Sequence, residues 1–189
     1  AEYHCGDMCD LTCIDGCQSF KFFAGSGSTV ECTATMWKTN GVHEGQRVCN
    51  NLVHTGPGLA SLTCDGTHAC QSMTATGLPD ATATCTMPKA CNDDKDSANG
   101  NYDWDASICP SDAGVCRSAV FGGTILECNG FKACYQADFT CGTGSTCTVV
   151  CDGSENQVCN SLKVRGEAAD SLAVTGDIDG GWRNRENTG

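Results

Sequence analysis

Cysteine is the residue type that could carry the most chemistry in this chain, since 18 of its 189 residues are cysteine. Cysteines form disulfides, bind metals or act as nucleophiles. Their number is even, none are spaced as C-x-x-C, and no cysteine and histidine have zinc-site spacing. We therefore predict that all of them form disulfides: Cys5, Cys9, Cys13, Cys17, Cys32, Cys49, Cys64, Cys70, Cys85, Cys91, Cys109, Cys116, Cys128, Cys134, Cys141, Cys147, Cys151 and Cys159.

Carboxylates crowd one short stretch, 92–105, which also contains an Asn99–Gly100 turn. Its spacing is one residue out of register with an EF-hand, and the closing Glu is missing. A solvated acidic loop is the default expectation. Calcium binding at Asp93, Asp94 and Asp96 is the alternative, and no other cofactor is expected.

Catalytic motifs are absent from the sequence: there is no G-x-S-x-G, H-E-x-x-H, P-loop or G-x-G-x-x-G. The four histidines, His4, His43, His54 and His68, are scattered, and we expect each to be a surface residue. The acids gather in an insertion rather than along one face. We therefore predict that the protein is not an enzyme.

The elements that position the cysteines recur as a unit. A β-prone run such as SLTC, TATC or ILEC precedes the first cysteine, and a segment ending in glycine, such as CQSMTATG or CNSLKVRG, follows the second. Cys64 and Cys85 are 21 residues apart, a period typical of stacked coils. The pattern predicts an all-β, disulfide-stapled β-solenoid, right-handed β-helix-like, with short irregular rungs and two loop insertions. A cysteine-free echo, Ala169–Gly176, is expected to close the series of glycine-ending segments.

Composition explains why such a fold needs cross-links. Leu, Ile, Val and Phe make up about 15% of the chain and the net charge is −12, which without cross-links would predict disorder. Each disulfide contributes roughly 2–4 kcal/mol. Disulfides therefore replace much of the missing apolar burial.

The pairing of the cysteines stays open at this point. One alternative closes each short turn on itself, and the other joins neighbouring rungs. In-turn closure is favoured because a tight turn brings two Cα atoms within the roughly 4.4–6.8 Å that a bridge needs. It would give Cys64–Cys70, Cys85–Cys91, Cys128–Cys134 and Cys141–Cys147.

Three regions follow from this reading. Residues 1–58 are expected to form a cysteine-rich N-terminal cap and a first irregular rung, with a hairpin turning at Asn40–Gly41. Residues 59–176 form the β-solenoid repeats, and residues 177–189 form a polar C-terminal tail or cap.

The disulfide density implies an oxidising compartment, so an extracellular or cell-surface location is expected. The start at Ala1 fits a chain whose signal peptide has been removed. No apolar run approaches the roughly 18 residues of a membrane span. The acidity excludes nucleic acid as a partner. No Asn-x-Ser/Thr site exists, so any glycan of a glycoprotein would be O-linked to the numerous Ser and Thr residues.

The stretches CDGTHAC (Cys64–Cys70) and CNGFKAC (Cys128–Cys134) match the unit C-x-G-x-x-A-C, and CTMPKAC lacks its glycine. In these residues the chain resembles a loose group of secreted cysteine-rich repeat proteins of microbial eukaryotes. The resemblance covers roughly Leu62–Gly166. It implies a disulfide-rich right-handed β-helix of cell surfaces or extracellular fibres, and it brings no catalytic residues.

The leading functional expectation is an extracellular structural subunit that self-associates into a homopolymer, such as a filament or surface appendage. Ordinary core packing is the simplest role for its most apolar stretch, 19–24, and the sharper hypothesis is a subunit contact. The contact residues would be Phe20, Phe22, Phe23, Trp37 and Trp182. Trp37 packed onto its own rung is the simpler alternative.

Two other function classes remain. A carbohydrate-binding or adhesion module would stack glycans on Trp37, Trp104 or Trp182. An ice-binding β-helix is suggested by Thr-x-Thr runs such as Thr82/Thr84, although the irregular rung lengths count against it.

Overall fold

A computed structural model describes residues 1–39, 42–45, 47–56, 58–76, 81–86, 114–130, 132–142, 146–152, 158–166 and 171–176. Within these ranges the regular structure is entirely β-strand. The strands are β1 (Glu2–His4), β2 (Asp10–Ile14), β3 (Lys21–Phe23), β4 (Ser28–Thr33), β5 (Met36–Thr39), β6 (Val42–Gly45), β7 (Val53–Thr55), β8 (Leu59–Asp65), β9 (Thr74–Thr76), β10 (Thr82–Thr86), β11 (Val120–Gly123), β12 (Ile125–Asn129), β13 (Asp138–Cys141), β14 (Thr146–Asp152), β15 (Lys163–Arg165) and β16 (Ser171–Gly176).

The chain alternates between two open, seven-stranded parallel sheets. Sheet A has the order β1-β3-β7-β9-β11-β13-β15, and sheet B has the order β2-β4-β8-β10-β12-β14-β16. Every neighbouring pair in both sheets is parallel. The all-β prediction is therefore confirmed, and each passage along the chain adds one strand to each sheet.

The register of sheet B aligns one cysteine from every strand between β2 and β14 in a single buried column. Its members are Cys13, Cys32, Cys64, Cys85, Cys128 and Cys151. Gly176 takes the matching position in β16. There φ is +118°, and a Cβ atom would collide with the carbonyl oxygen of Cys151, so only glycine fits.

The partner cysteines lie at the turns that lead from sheet B to sheet A. Each has a φ between 51° and 59°, the left-handed conformation that non-glycine residues rarely adopt. A second left-handed residue follows two positions later, as in Cys70 and Ser72. Successive turns are joined by backbone bonds such as Cys134 N–H to Val115 O (3.1 Å), so the hydrogen-bond ladder continues around this corner. These left-handed cysteines are Cys17, Cys49, Cys70, Cys116, Cys134 and Cys159.

Eight disulfides join the described cysteines. Six close the turns from sheet B to sheet A: Cys13–Cys17, Cys32–Cys49, Cys64–Cys70, Cys85–Cys116, Cys128–Cys134 and Cys151–Cys159. Two close turns from sheet A to sheet B: Cys5–Cys9 and Cys141–Cys147. In-turn closure is thus confirmed for Cys64–Cys70, Cys128–Cys134 and Cys141–Cys147.

The predicted bridge Cys85–Cys91 is wrong, because Cys85 is bonded to Cys116. The sequence pattern assigned these two cysteines to separate units. In the structure they belong to one unit, with residues 87–113 inserted between strand and corner, since Cys85 aligns directly with Cys128 of the next strand. Cys91 and Cys109 lie outside the described residues.

Two further sequence predictions, on the hairpin and on the last strand, can be compared with the observed strand pairing. The hairpin expected around Asn40–Gly41 is confirmed, since β5 and β6 pair antiparallel with Thr39 opposite Val42. The echo Ala169–Gly176 is expected to close the series of glycine-ending segments, whose described strands belong to sheet A. Its strand β16 instead pairs with β14 in sheet B.

The inward side chains of both sheets form one hydrophobic core. Sheet A contributes the column Tyr3, Phe22, His54, Ala75, Phe121, Phe139 and Val164. Sheet B contributes the column Leu11, Val30, Leu62, Ala83, Leu126, Val149 and Val174 next to its cysteines. The core contains few large apolar side chains, and buried cysteine sulfur atoms fill part of its volume.

Removal of two adjacent disulfides tests whether they stabilise through chain entropy. Cys32–Cys49 closes a separation of 17 residues and Cys64–Cys70 one of 6, and all four cysteines are fully buried. The entropic model gives about 3 kcal/mol for the longer loop and about 2 kcal/mol for the shorter. We therefore expect Cys32→Ala/Cys49→Ala to lower the free energy of unfolding by about 1 kcal/mol more than Cys64→Ala/Cys70→Ala. Urea unfolding under non-reducing conditions measures both, and equal losses would contradict the model.

Candidate functional site: the free edges of the two sheets

Each open sheet ends in two strands that are paired on one side only within the described part of the chain. The N-terminal edge consists of β1 and β2, and the C-terminal edge consists of β15 and β16. An edge strand presents N–H and C=O groups that have no strand to pair with, so it can accept another chain. These two edges are the candidate functional site.

The N-terminal edge is apolar inside and charged outside. Tyr3 remains 51% exposed although its ring stacks on Phe22, with centroids 6.0 Å apart. On the outer face, Lys21 Nζ donates to Glu2 Oε1 over 2.8 Å, and the His4 ring stacks on Phe23 at 4.3 Å. This hydrogen bond and the attraction between the two charges lower the pKa of Glu2 and raise that of Lys21.

The outward side chains of β15 at the C-terminal edge, Lys163 and Arg165, are basic, whereas β1 carries the acidic Glu2. Arg165 makes a two-pronged contact with Asp138, with Nη2–Oδ2 at 2.6 Å and Nε–Oδ1 at 3.0 Å. Lys163 makes no ion pair among the described residues. Inside, Val164 and the half-buried Val174 end the two core columns.

The outer face of sheet B is a regular hydroxyl surface interrupted by acids. Three aligned columns run across the strands, and they contain Thr12, Thr29, Thr33, Ser61, Thr63, Thr82, Thr84, Thr86, Thr148 and Thr175. Asp10, Glu31, Asp65, Glu127 and Asp152 share this face, and the described strands of sheet B contain no Lys or Arg. Partial burial, and then the negative charge of Glu31, raise the pKa of Asp65. The charged side chains on this face are therefore all acidic in the strands that the structure describes.

The phenylalanines predicted as subunit contacts lie in different places. Phe22 is 1% exposed and part of the core, so the contact hypothesis is corrected for this residue. Phe20 is half-buried against the core, and Phe23 is half-buried beneath His4. The Trp37 side chain, Trp104, Trp182 and the calcium candidates Asp93, Asp94 and Asp96 lie outside the described residues.

Sequence reasoning did not single out the edge residues Glu2, Tyr3, Lys163 and Arg165. Their place in the first and last units of the repeat is the sequence feature that could have identified them. Among the described residues the first and last strands of each sheet have one neighbouring strand, so their side chains are covered on one side.

Two histidines expected at the surface are buried. His68 is 5% exposed at the corner after β8, and His54 is fully buried beside Phe22 in the core column of sheet A. Neither ring nitrogen of His54 has a hydrogen-bond partner among the described residues. Burial lowers the pKa of His54 to about 4 from 6.5, so the neutral imidazole behaves as a core side chain.

Three sulfur atoms, those of Cys64, Cys85 and Cys116, lie within 4.8 Å of one another. Metal binding requires thiolates. All three sulfurs are in disulfides, so this cluster is a contact between neighbouring bridges and not a metal site.

His54 makes stability depend on pH. The unfolded imidazole binds a proton near pH 6.5 and the folded one only near pH 4, so the folded state loses stability as the pH falls between these values. The loss reaches about 3 kcal/mol below pH 4. We expect His54→Leu, which has a similar volume, to unfold with a smaller drop in free energy between pH 7.5 and 4.5.

Guanidine unfolding of both proteins at the two pH values measures this difference, and His4→Leu, at an exposed position, is the matched control. A His54→Leu protein with the same pH dependence as wild type would show that another group accounts for acid destabilisation.

The chain matches no protein-family model, no curated protein and no solved structure. The described residues contain no helix of the length and apolarity needed to cross a membrane.

Proposed function

We propose that this chain is an extracellular structural protein that assembles end to end into a filament or cell-surface appendage. We infer that the two sheets are the two sides of one β-solenoid, in which each coil contributes one strand to each sheet. The single observation that carries the proposal is that both sheets are parallel, open and of equal strand number, so both end at the same two edges.

The direction of the strands supports assembly into a fibre. Two edges that differ in sequence and face opposite ways along the stack make a heterologous contact, and such contacts do not close unless rotation brings them round. A parallel sheet is also normally covered on its hydrogen-bonding edges or continued by another strand. Addition of a second copy continues both sheets at once.

The core columns support the same conclusion. Side chains in the middle of the stack are fully buried, whereas Tyr3 and Leu172 at the two ends are 51% and 39% exposed. Apolar surface left uncovered at both ends is stabilised when another chain covers it, at roughly 25 cal/mol per Å². Disulfides and secretion into an oxidising compartment fit a durable extracellular material.

Electron microscopy of the oxidised protein tests the proposal. We expect negative-stain images to show unbranched filaments with an axial repeat of about 33 Å, since seven strands stack at about 4.7 Å each. Sedimentation should show a concentration-dependent pellet. A protein that stays a monodisperse monomer at millimolar concentration would overturn the proposal.

A second candidate, ice binding, is favoured by the aligned hydroxyl columns of sheet B. Their alignment is regular because the long insertions lie outside the strands, which removes the objection from irregular rung lengths. The acids Glu31, Asp65 and Glu127 on the same face count against it. Glycan binding through Trp37, Trp104 or Trp182 is a further alternative, and no described contact favours it.

Thermal hysteresis separates the ice-binding alternative from the filament. If the hydroxyl columns bind ice, wild type lowers the freezing point and Thr84→Lys, at the centre of the face, abolishes the effect. Thr140→Lys, on the outer face of sheet A, is the matched control and should leave it unchanged. On the filament proposal we expect no hysteresis from wild type.

A further inference from the structure

The two edges are complementary strand by strand. Sheet A begins and ends with strands of three residues, β1 and β15, and each has one inward side chain, Tyr3 and Val164. Only one register places these inward side chains side by side. In that register Lys163 lies beside Glu2 of a second copy, and Arg165 lies beside its His4.

The core column of sheet B fixes the register between β16 and β2 of a second copy in the same way. The inward residues of β16 include Val174, and those of β2 include Leu11; both are half-buried at the ends of one core column. Bringing Val174 beside Leu11 of a second copy also brings Gly176 beside Cys13. Gly176, which takes the cysteine position in β16, would then lie between Cys151 of its own copy and Cys13 of the next copy.

The charges favour this contact over one between two C-terminal ends. On the outer face of sheet A, Glu2 neighbours Lys21 at one end, and Asp138 neighbours Lys163 at the other. Joining opposite ends yields the alternating series Asp138, Lys163, Glu2, Lys21. Joining two C-terminal ends would set Lys163 and Arg165 against the same residues of the other copy, which repel.

We propose that copies join head to tail by parallel strand addition, with β15 pairing with β1 and β16 with β2 of the next copy, in the register that sets Lys163 beside Glu2. This junction rests on the proposed function, because it names the partner and the contact within the filament. Lys163, which has no ion pair among the described residues, gains one across it, and both core columns continue without a gap.

Charge reversal with complementation tests the junction. Glu2→Lys places two lysines at every contact of its own filament, and Lys163→Glu places two glutamates there. We expect each variant alone to need about tenfold more protein to assemble than wild type. A 1:1 mixture of the two restores assembly, because copies that alternate along the filament again pair a lysine with a glutamate at every junction.

Glu127→Lys on β12 and Arg117→Glu, which make the same charge changes away from the edges, are the matched controls and should assemble as wild type does. Pelleting and negative-stain images are the readouts, and recovery in the mixture shows that each variant is folded. If wild type forms filaments but the edge variants behave as the controls do, or the mixture does not recover, the junction is wrong and the filament stands. If wild type forms no filament, both proposals fail.

Discussion

The structure depends on a disulfide between a buried cysteine of sheet B and a cysteine held in the left-handed conformation at the following corner. A non-glycine residue in that conformation costs about 1 kcal/mol, and each unit uses two. The disulfide and the hydrogen bonds between stacked corners offset that cost. Because the same bond recurs in register, every such unit turns at the same point, and strands of different units align.

This fixed corner explains how a chain with few large apolar residues can stabilise many strands. The corner cysteines and their partners lie inside, and several are fully buried, so sulfur fills space that leucine or phenylalanine would fill in an ordinary core. It also explains why insertions are tolerated. Residues 34–48 separate β4 from Cys49 and residues 87–115 separate β10 from Cys116, yet the bridge holds each corner at the same position.

Regular stacking has a consequence at its ends. A closed barrel has no edge, whereas two open parallel sheets have two edges each, and the described part of the chain covers the side chains there on one side only. The same feature that stabilises the middle of the molecule therefore leaves matched, half-covered strands at both ends. Charge then gives the ends a direction, because β1 carries Glu2 and β15 carries Lys163 and Arg165. The charged residues in the described strands of sheet B are all acidic.

The sequence by itself determined the all-β class, the disulfide chemistry, the antiparallel pairing of β5 with β6 and three of the short-range bridges, because each depends on neighbours a few residues apart. It could not determine that Cys85 joins Cys116, that β16 belongs to sheet B, or that His54 and His68 are buried. Those features depend on which strand lies beside which, and strands separated by tens of residues are matched only through the shared register of the folded sheets. The edge site, too, exists only once the strands are ordered, since a strand is an edge by virtue of the neighbour it lacks.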